Sequence, residues 1–246
     1  MATVSVVSKL TARCEMCPSR SSGVCCGLSD GELEHLCGLM RHRRLQAGEQ
    51  VIHQDDVSDV FAIIISGTVK LTRVLPDGRE QIVGLLGPAD CLGDLFLEGA
   101  SHNTAECVTN TVLCCFPRDR FETYLRDHQD LERRLLTLAM RDLDEARDWL
   151  VTLGRKNASE KVATFLLWLL EKQQTAKASP FAASAATLEL PLSRQEIGDF
   201  LGLTVETVSR QMTKLRAAGA IRLNTNHQIA IDDVDKLRRI AEQSSV

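Results

Sequence analysis

The stretch LSRQEIGDFLGLTVETVSRQMTKLRAAGAIRL, residues 192–223, decides the fold. Ser193, followed three residues later by Glu196, is a capping box, and it opens a helix that turns Ile197, Phe200 and Leu201 inward. Gly202 supplies the left-handed geometry of a sharp corner, Thr204 caps a second helix and Gly219 stops it. The second helix buries Val205 or Val208, Met212 and Leu215. Glu206, Ser209 and Arg210 then stand at i, i+3 and i+4, so they leave one face together. Behind them come Ile221 to Leu223, the polar tip Asn224-Thr225-Asn226-His227, and Ile229 to Ile231, which read as a two-stranded wing. A winged helix-turn-helix sets the N-terminal side chains of its second helix against base edges. An arginine bonds bidentately to guanine, a glutamate accepts from cytosine N4 and a serine serves either partner, so the triplet, flanked by Val205 and Thr207, reads DNA. Arg194, Lys214, Arg216 and Arg222 are the phosphate contacts.

Working outward, the 246 residues are 44% hydrophobic and 25% charged, enough for one large or two modest domains. No apolar run approaches the length of a membrane span, and the start MATVSVVSKLTAR lacks the apolar core of a signal peptide. A cytoplasmic protein without a membrane partner is expected. The formal net charge of -4 argues against a nucleic-acid binder. Residues 191–223 nevertheless carry five basic side chains against three acidic ones. A basic module on an acidic body still binds a phosphate backbone, more weakly as salt rises. Nine cysteines in a reducing compartment point away from disulfides and toward metal, redox chemistry or core filling.

Taken in order, the chain divides into a cysteine-rich segment (1–28), a β-roll (29–128), a long helix (129–155), a connecting helix and linker (156–190) and the winged domain (191–246). In CEMCPSRSSGVCC, Cys14 and Cys17 form a Cys-x2-Cys chelate in a segment with no periodicity of its own. Ser29–Arg44 reads as a short amphipathic helix, with Cys37 and, further on, Cys91 as core residues. Strands follow: Gln50 to Val57, Val60 to Ile65, Val69 to Val74, Gln81 to Leu86, Thr104 to Val108 and Thr111 to Phe116. Short strands at this spacing suggest a double-sheet jelly roll or a barrel. Past Arg118 the period turns helical for about thirty-five residues, and Leu136, Ala139, Leu143, Ala146, Leu150 and Leu153 recur at spacings of 3 and 4. That a/d seam predicts a homodimer, with Asp142 and Arg147 available to pair between copies; such an exposed pair contributes only about 0.2–1 kcal/mol. Asn157 starts another helix reaching about Gln174, Thr175–Thr187 reads as a linker, and Leu188 to Leu190 as a short strand.

At these residues the chain resembles the CRP/FNR family of bacterial transcription regulators over nearly its whole length, and IGDFLGLTVETVSR (Ile197–Arg210) is very close to the FNR branch. The resemblance implies an α+β fold: an N-terminal β-roll sensor, a long dimerisation helix and a C-terminal winged helix-turn-helix. It implies transcription regulation rather than an enzyme, with Glu206, Ser209 and Arg210 reading a TTGAT-type half-site and a homodimer on a palindromic operator. RNA polymerase is the implied protein partner, and the loop Leu75–Arg79 one surface for it. Cyclic AMP is not an expected effector. Where that branch has an arginine-serine pair for the phosphate, this chain has Asn103-Thr104; Gly93-Asp94-Leu95-Phe96 replaces its G-E-L-G, and Ala146-Arg147 its adenine contact.

FNR-type regulators hold an oxygen-labile [4Fe–4S] cluster, and the resemblance assigns it here to Cys14, Cys17 and Cys25, spaced Cys-x2-Cys-x7-Cys, with Cys114 of VLCCFP as fourth ligand. Cys26 is a rival third ligand, Cys115 points to the other face of the strand, and Cys107 is a weaker fourth. A cluster joining residue 25 to residue 114 ties a segment that does not fold alone to the roll beside the dimer helix. Ala146 departs from the acidic residue that restrains dimerisation in FNR, which makes this dimer less dependent on the cluster. The alternatives are a cluster-free regulator of the FixK type, a zinc or thiol-redox site, a small-molecule effector inside the roll, or a redox-enzyme dithiol at Cys14-x-x-Cys17, which lacks the βαβ context that motif normally has.

Overall fold

A computed structural model describes residues 14, 17–93, 95, 99–177, 187–225 and 227–242. It divides into two compact units, one of residues 1–73 and 84–141, the other of residues 74–83 and 142–246. The opening segment 1–13, Asp94 and Phe96 of the phosphate-pocket comparison, most of the expected linker (178–186) and Asn226 of the wing tip lie outside the described residues.

In the first unit, a single turn α1 (Pro18–Ser21) leads to α2 (Asp30–Leu39), which opens on a capping box between Ser29 and Glu32. Eight strands follow, with residues 74–83 of the β4–β5 hairpin belonging to the second unit: β1 (Arg41–Leu45), β2 (Gln50–Ile52), β3 (Val60–Ser66), β4 (Val69–Val74), β5 (Glu80–Leu86), β6 (Cys91–Leu92), β7 (Thr104–Cys107) and β8 (Thr111–Pro117). They form two four-stranded sheets, ordered β1-β8-β3-β6 and β2-β7-β4-β5, so of the two architectures the strand spacing allows the chain takes the double-sheet roll.

The apolar run VFAIIIS of β3 is buried on both faces, because each face meets a different core. Ala62 and Ile64 join Leu113 and Cys115 of β8 between the sheets. Phe61 and Ile63 point the other way, to Phe116 and to the helices outside. The period of two along each strand sorts the side chains between these cores. The outer core also takes Leu33, Leu36 and Cys37 from α2, Phe121, Tyr124 and Leu125 from α3 (Arg118–Asp127), and Leu131 and Leu135 from α4 (Gln129–Arg155).

One sequence expectation needs correction here. The helix expected over Ser29–Arg44 ends at Leu39, and Arg41–Leu45 is a strand paired antiparallel with β8, Arg41 opposite Cys115 and Leu45 opposite Thr111. RHRRL has one buried side chain, Leu45, so main-chain pairing to β8 sets its conformation and no hydrophobic alternation announces it. The helical run after Arg118 is interrupted at His128, whose φ of -130° and ψ of 74° leave the helical region, and the long helix starts at Gln129.

In the second unit, α5 (Ala158–Lys177) is capped by Asn157. The Asn157 side chain accepts from the backbone N–H groups of Ser159 and Glu160, and the Glu160 carboxylate accepts from the Asn157 backbone in return. At its other end the helix runs past Gln174 into the segment read as linker. β9 (Leu188–Glu189) leads into α6 (Arg194–Leu201) and α7 (Val205–Ala217). The wing is three-stranded rather than two-stranded: β10 (Ile221–Leu223) pairs with β11 (Gln228–Ile231), and β11 pairs with β9 through Gln228 opposite Glu189. A last helix α8 (Val234–Glu242) packs on α5, burying Leu237 and Ala241. Residues 74–83 belong to this unit, and the Gln81 side-chain amide donates to the Phe200 carbonyl at 3.0 Å.

Candidate nucleic-acid interface and thiol cluster

The corner between α6 and α7 is a matter of backbone approach. Gly202 has φ 62°, the left-handed region that glycine favours, and its N–H donates to the Gly198 carbonyl. A Cβ on Gly198 would stand 2.5 Å from the Leu203 carbonyl oxygen, so only glycine lets the corner close this tightly. Thr204 then caps α7 by accepting from the Thr207 N–H. Ile197, Phe200 and Leu201 are buried from α6, and Val208, Met212 and Leu215 from α7, which settles the register in favour of Val208. Val205 and Thr207 are half-buried.

That register leaves Glu206, Ser209 and Arg210 exposed on one face of α7, with Lys214 and Arg216 exposed further along. The Glu206 carboxyl is held below its usual range by its own backbone N–H and by the Thr204 hydroxyl. As a carboxylate it only accepts hydrogen bonds. Arg194 is half-buried at the start of α6; one of its terminal nitrogens has no hydrogen-bond partner among the described residues, and burial lowers its pKa. Arg222, read as a phosphate contact, donates to Asp232 at 2.6 Å.

Along α4 the seam faces outward. Leu136, Ala139, Leu143, Ala146 and Leu150 are exposed and Leu153 is half-buried, while Leu131 and Leu135 of the same helix are buried in their own roll. Met140 and Val151, missed by the a/d reading, widen the exposed apolar face. Arg147 pairs within its own helix, donating to Asp144 at 2.8 Å.

At the root of that helix the cysteines gather. Cys14, Cys25, Cys91 and Cys114 all pack on the outer core of the roll, and Cys37 is part of it. Cys115 lies in the core between the sheets with Cys107, as the alternation along β8 requires. The Cys14 and Cys37 sulfurs are 3.0 Å apart, a contact that the core reading of Cys37 did not foresee. No disulfide joins the nine cysteines.

The segment carrying these thiols is held from three directions. Arg134 of α4 donates to the carbonyls of Ser22 and Gly23 at 3.2 and 3.3 Å, Arg20 pairs with Asp30 at 2.7 Å, and Gly23 lies against the Ala89 carbonyl so closely that a Cβ would stand 2.9 Å from it. Beside it, Tyr124 donates its hydroxyl to the Glu32 carbonyl.

Burial governs the thiols. It pushes Cys25 up to about 12, and raises Cys17 and Cys114, the latter further because Cys25, Cys14 and Cys17 lie near it. The hydrogen bond with Cys37 raises Cys14 and lowers Cys37. Among the described residues no three His, Cys, Asp or Glu side chains stand together at the spacing of a single metal ion. A cubane cluster spaces its thiolates wider than one ion does. A soft donor set of four cysteines, Cys14, Cys17, Cys25 and Cys114, in apolar surroundings fits such a group chemically.

Comparison with known proteins gives two domain matches: a cyclic nucleotide-binding domain over residues 42–128 and a Crp-like helix-turn-helix domain over residues 160–240. A probable transcriptional activator of Rhizobium leguminosarum bv. viciae is 42% identical over 227 residues, 92% of each chain. Transcriptional activator protein FnrL of Cereibacter sphaeroides is 35% identical, over 99% of this chain and 97% of its own. Among solved structures, FixK2 from Bradyrhizobium japonicum matches with a TM-score of 0.75 at 28% identity, over 84% of this chain and 99% of its own. No helix among the described residues is long and apolar enough to cross a membrane.

Proposed function

The chain belongs to the CRP/FNR family of DNA-binding transcription regulators, and we propose that it is an oxygen-responsive activator that grips a palindromic TTGAT-type operator as a homodimer. The observation that carries the reading is that Cys14, Cys25 and Cys114, with Cys17 close by, meet on one apolar core at the root of the helix bearing the exposed seam. Cys14, Cys17, Cys25 and Cys114 would hold a [4Fe–4S] cluster, which when bound supplies an oxygen-labile cross-link between the N-terminal segment and β8.

The rest follows from the chain's own side chains. Arg134 hands two N–H groups to the Ser22 and Gly23 carbonyls, so the docked segment braces the first turns of α4. Those turns are also fixed by Leu131 and Leu135 in the core. Beyond them the seam is offered to a second copy. Two copies set two α7 helices in two-fold relation, each with Glu206, Ser209 and Arg210 toward bases and Arg194 and Lys214 toward phosphates. A monomer reaches one half-site only, so whatever loosens the brace weakens operator binding. RNA polymerase is the protein partner in this reading, and no cyclic nucleotide has a role in it. Where an arginine-serine pair would be needed, Asn103 accepts from Arg73 and Thr104 from the Gln54 N–H.

The test is anaerobic purification followed by an absorption spectrum, iron and acid-labile sulfide assays, and operator binding before and after air. Binding should fall with the loss of sulfide, and Cys14→Ala should abolish both. Absent sulfide, or a sulfide content indifferent to Cys14→Ala, ends the reading. A cluster-free regulator of the FixK kind is the second reading, favoured by the likeness to FixK2. It expects operator binding indifferent to air.

A further inference from the structure

We propose that Cys14 and Cys37 form a redox-active dithiol that closes to an intramolecular disulfide when the chain carries no cluster. The two sulfurs are 3.0 Å apart, and a disulfide bond is about 2.05 Å long, so closure needs roughly 1 Å of sulfur movement. Cys37 is buried within the regular helix α2, so the movement falls to the half-exposed Cys14. The two also differ in access: Cys14 is half-exposed and Cys37 buried in the outer core. That asymmetry assigns the roles of attacking and resolving thiol.

With a hydroperoxide as oxidant the step balances. The Cys14 thiol passes its proton to the Cys37 sulfur 3.0 Å away as its own sulfur attacks one peroxide oxygen; the O–O bond breaks, and Cys14 becomes a sulfenic acid while the other oxygen leaves as hydroxide or alkoxide. The Cys37 sulfur then attacks the Cys14 sulfur, the S–O bond breaks, and the hydroxyl leaves with the Cys37 proton as water. Two thiols have lost two electrons, and the peroxide has gained them.

The bond would span 23 positions of sequence and anchor the N-terminal segment to α2. It also withdraws Cys14 from every other role, so disulfide and cluster exclude each other in one chain. The dithiol itself concerns the cluster-free chain and does not depend on the oxygen-sensing reading.

The experiment uses the full chain purified in air, reduced, freed of metal by chelation, treated with hydrogen peroxide, alkylated and mapped by mass spectrometry of its peptides. The Cys14–Cys37 cross-link should dominate over links from Cys14 to Cys17, Cys25 or Cys26. Cys37→Ser, with Cys37→Ala as the second variant, should remove it and leave Cys14 as a sulfenic acid trapped by dimedone, while Cys14→Ser should leave Cys37 open to alkylation after unfolding. The proposal is overturned if Cys37 stays reduced while Cys14 pairs elsewhere, or if Cys14 gives the same products with and without Cys37. Iron and sulfide uptake by reduced Cys37→Ser separates the two readings. Uptake equal to wild type leaves the cluster assignment standing on its four cysteines, whatever the cross-link map shows.

Discussion

Replacing Leu150 with alanine tests the dimer seam with a magnitude that comes from the structure. Leu150 is 71% exposed in the single chain. Full burial of a leucine side chain stabilises by about 1.5–3 kcal/mol, so covering that share recovers about 1–2 kcal/mol per copy. A two-fold interface buries the residue twice. Leu150→Ala should therefore weaken the dimer by up to about 2–4 kcal/mol, a rise in Kd of roughly 30- to 700-fold, with the smaller figure favoured because alanine keeps its Cβ. Helix propensity does not confuse the result, since alanine is the best helix former. Sedimentation equilibrium over a concentration series reads the dimer Kd, and urea unfolding at low concentration reads the single chain, whose stability should move by no more than about 0.5 kcal/mol. A dimer Kd changed by less than about threefold would refute the seam. A large loss of single-chain stability would instead mean that this face packs on its own chain.

The other predictions concern the reading head and the brace. Arg210→Ala should lower affinity for a TTGAT-type site by about 1–3 kcal/mol per half-site while barely changing binding to scrambled DNA, as fluorescence anisotropy on both duplexes will show. Lys214→Ala should weaken both duplexes alike and reduce the salt slope by about one per half-site. Gly198→Ala forces a Cβ to 2.5 Å from a backbone oxygen at the corner, so it should destabilise the winged domain by about 1–3 kcal/mol in urea. Wild-type stability and affinity in that variant would show that the corner can open freely. Arg134→Ala should leave the melting of the roll nearly unchanged and speed amide exchange across residues 17–28; unchanged exchange would show that Arg134 braces nothing.

The reading head was legible because its signals are local. A capping box, a left-handed glycine and a capping threonine sit within a dozen residues, and each fixes the backbone beside it. The roll was legible in outline, since β3 and β8 announce themselves by apolar runs. β1 was not, because RHRRL takes its conformation from β8 some seventy residues away in sequence and buries a single side chain. The last helix carried a local signal that went unread: Asp233 accepts from the Lys236 N–H ahead of Leu237 and Ala241. Cys37 shows the other kind of failure. Periodicity correctly gave it a packed face, but periodicity says nothing of which side chain arrives from outside the helix, and Cys14 does.

Residues 74–83 give the second unit a property that its neat C-terminal sequence motif conceals. Gln81 and Phe200 are bonded across 119 positions of sequence. The reading head is therefore not a cassette that can be cut out at one point of the gene. A chimera spliced near Asp142 inherits the helices and the wing but takes its Gln81 equivalent from the other parent, and its newly joined halves must match at that contact. During synthesis the same separation makes residues 74–83 wait for more than a hundred further residues to emerge, so this unit closes late.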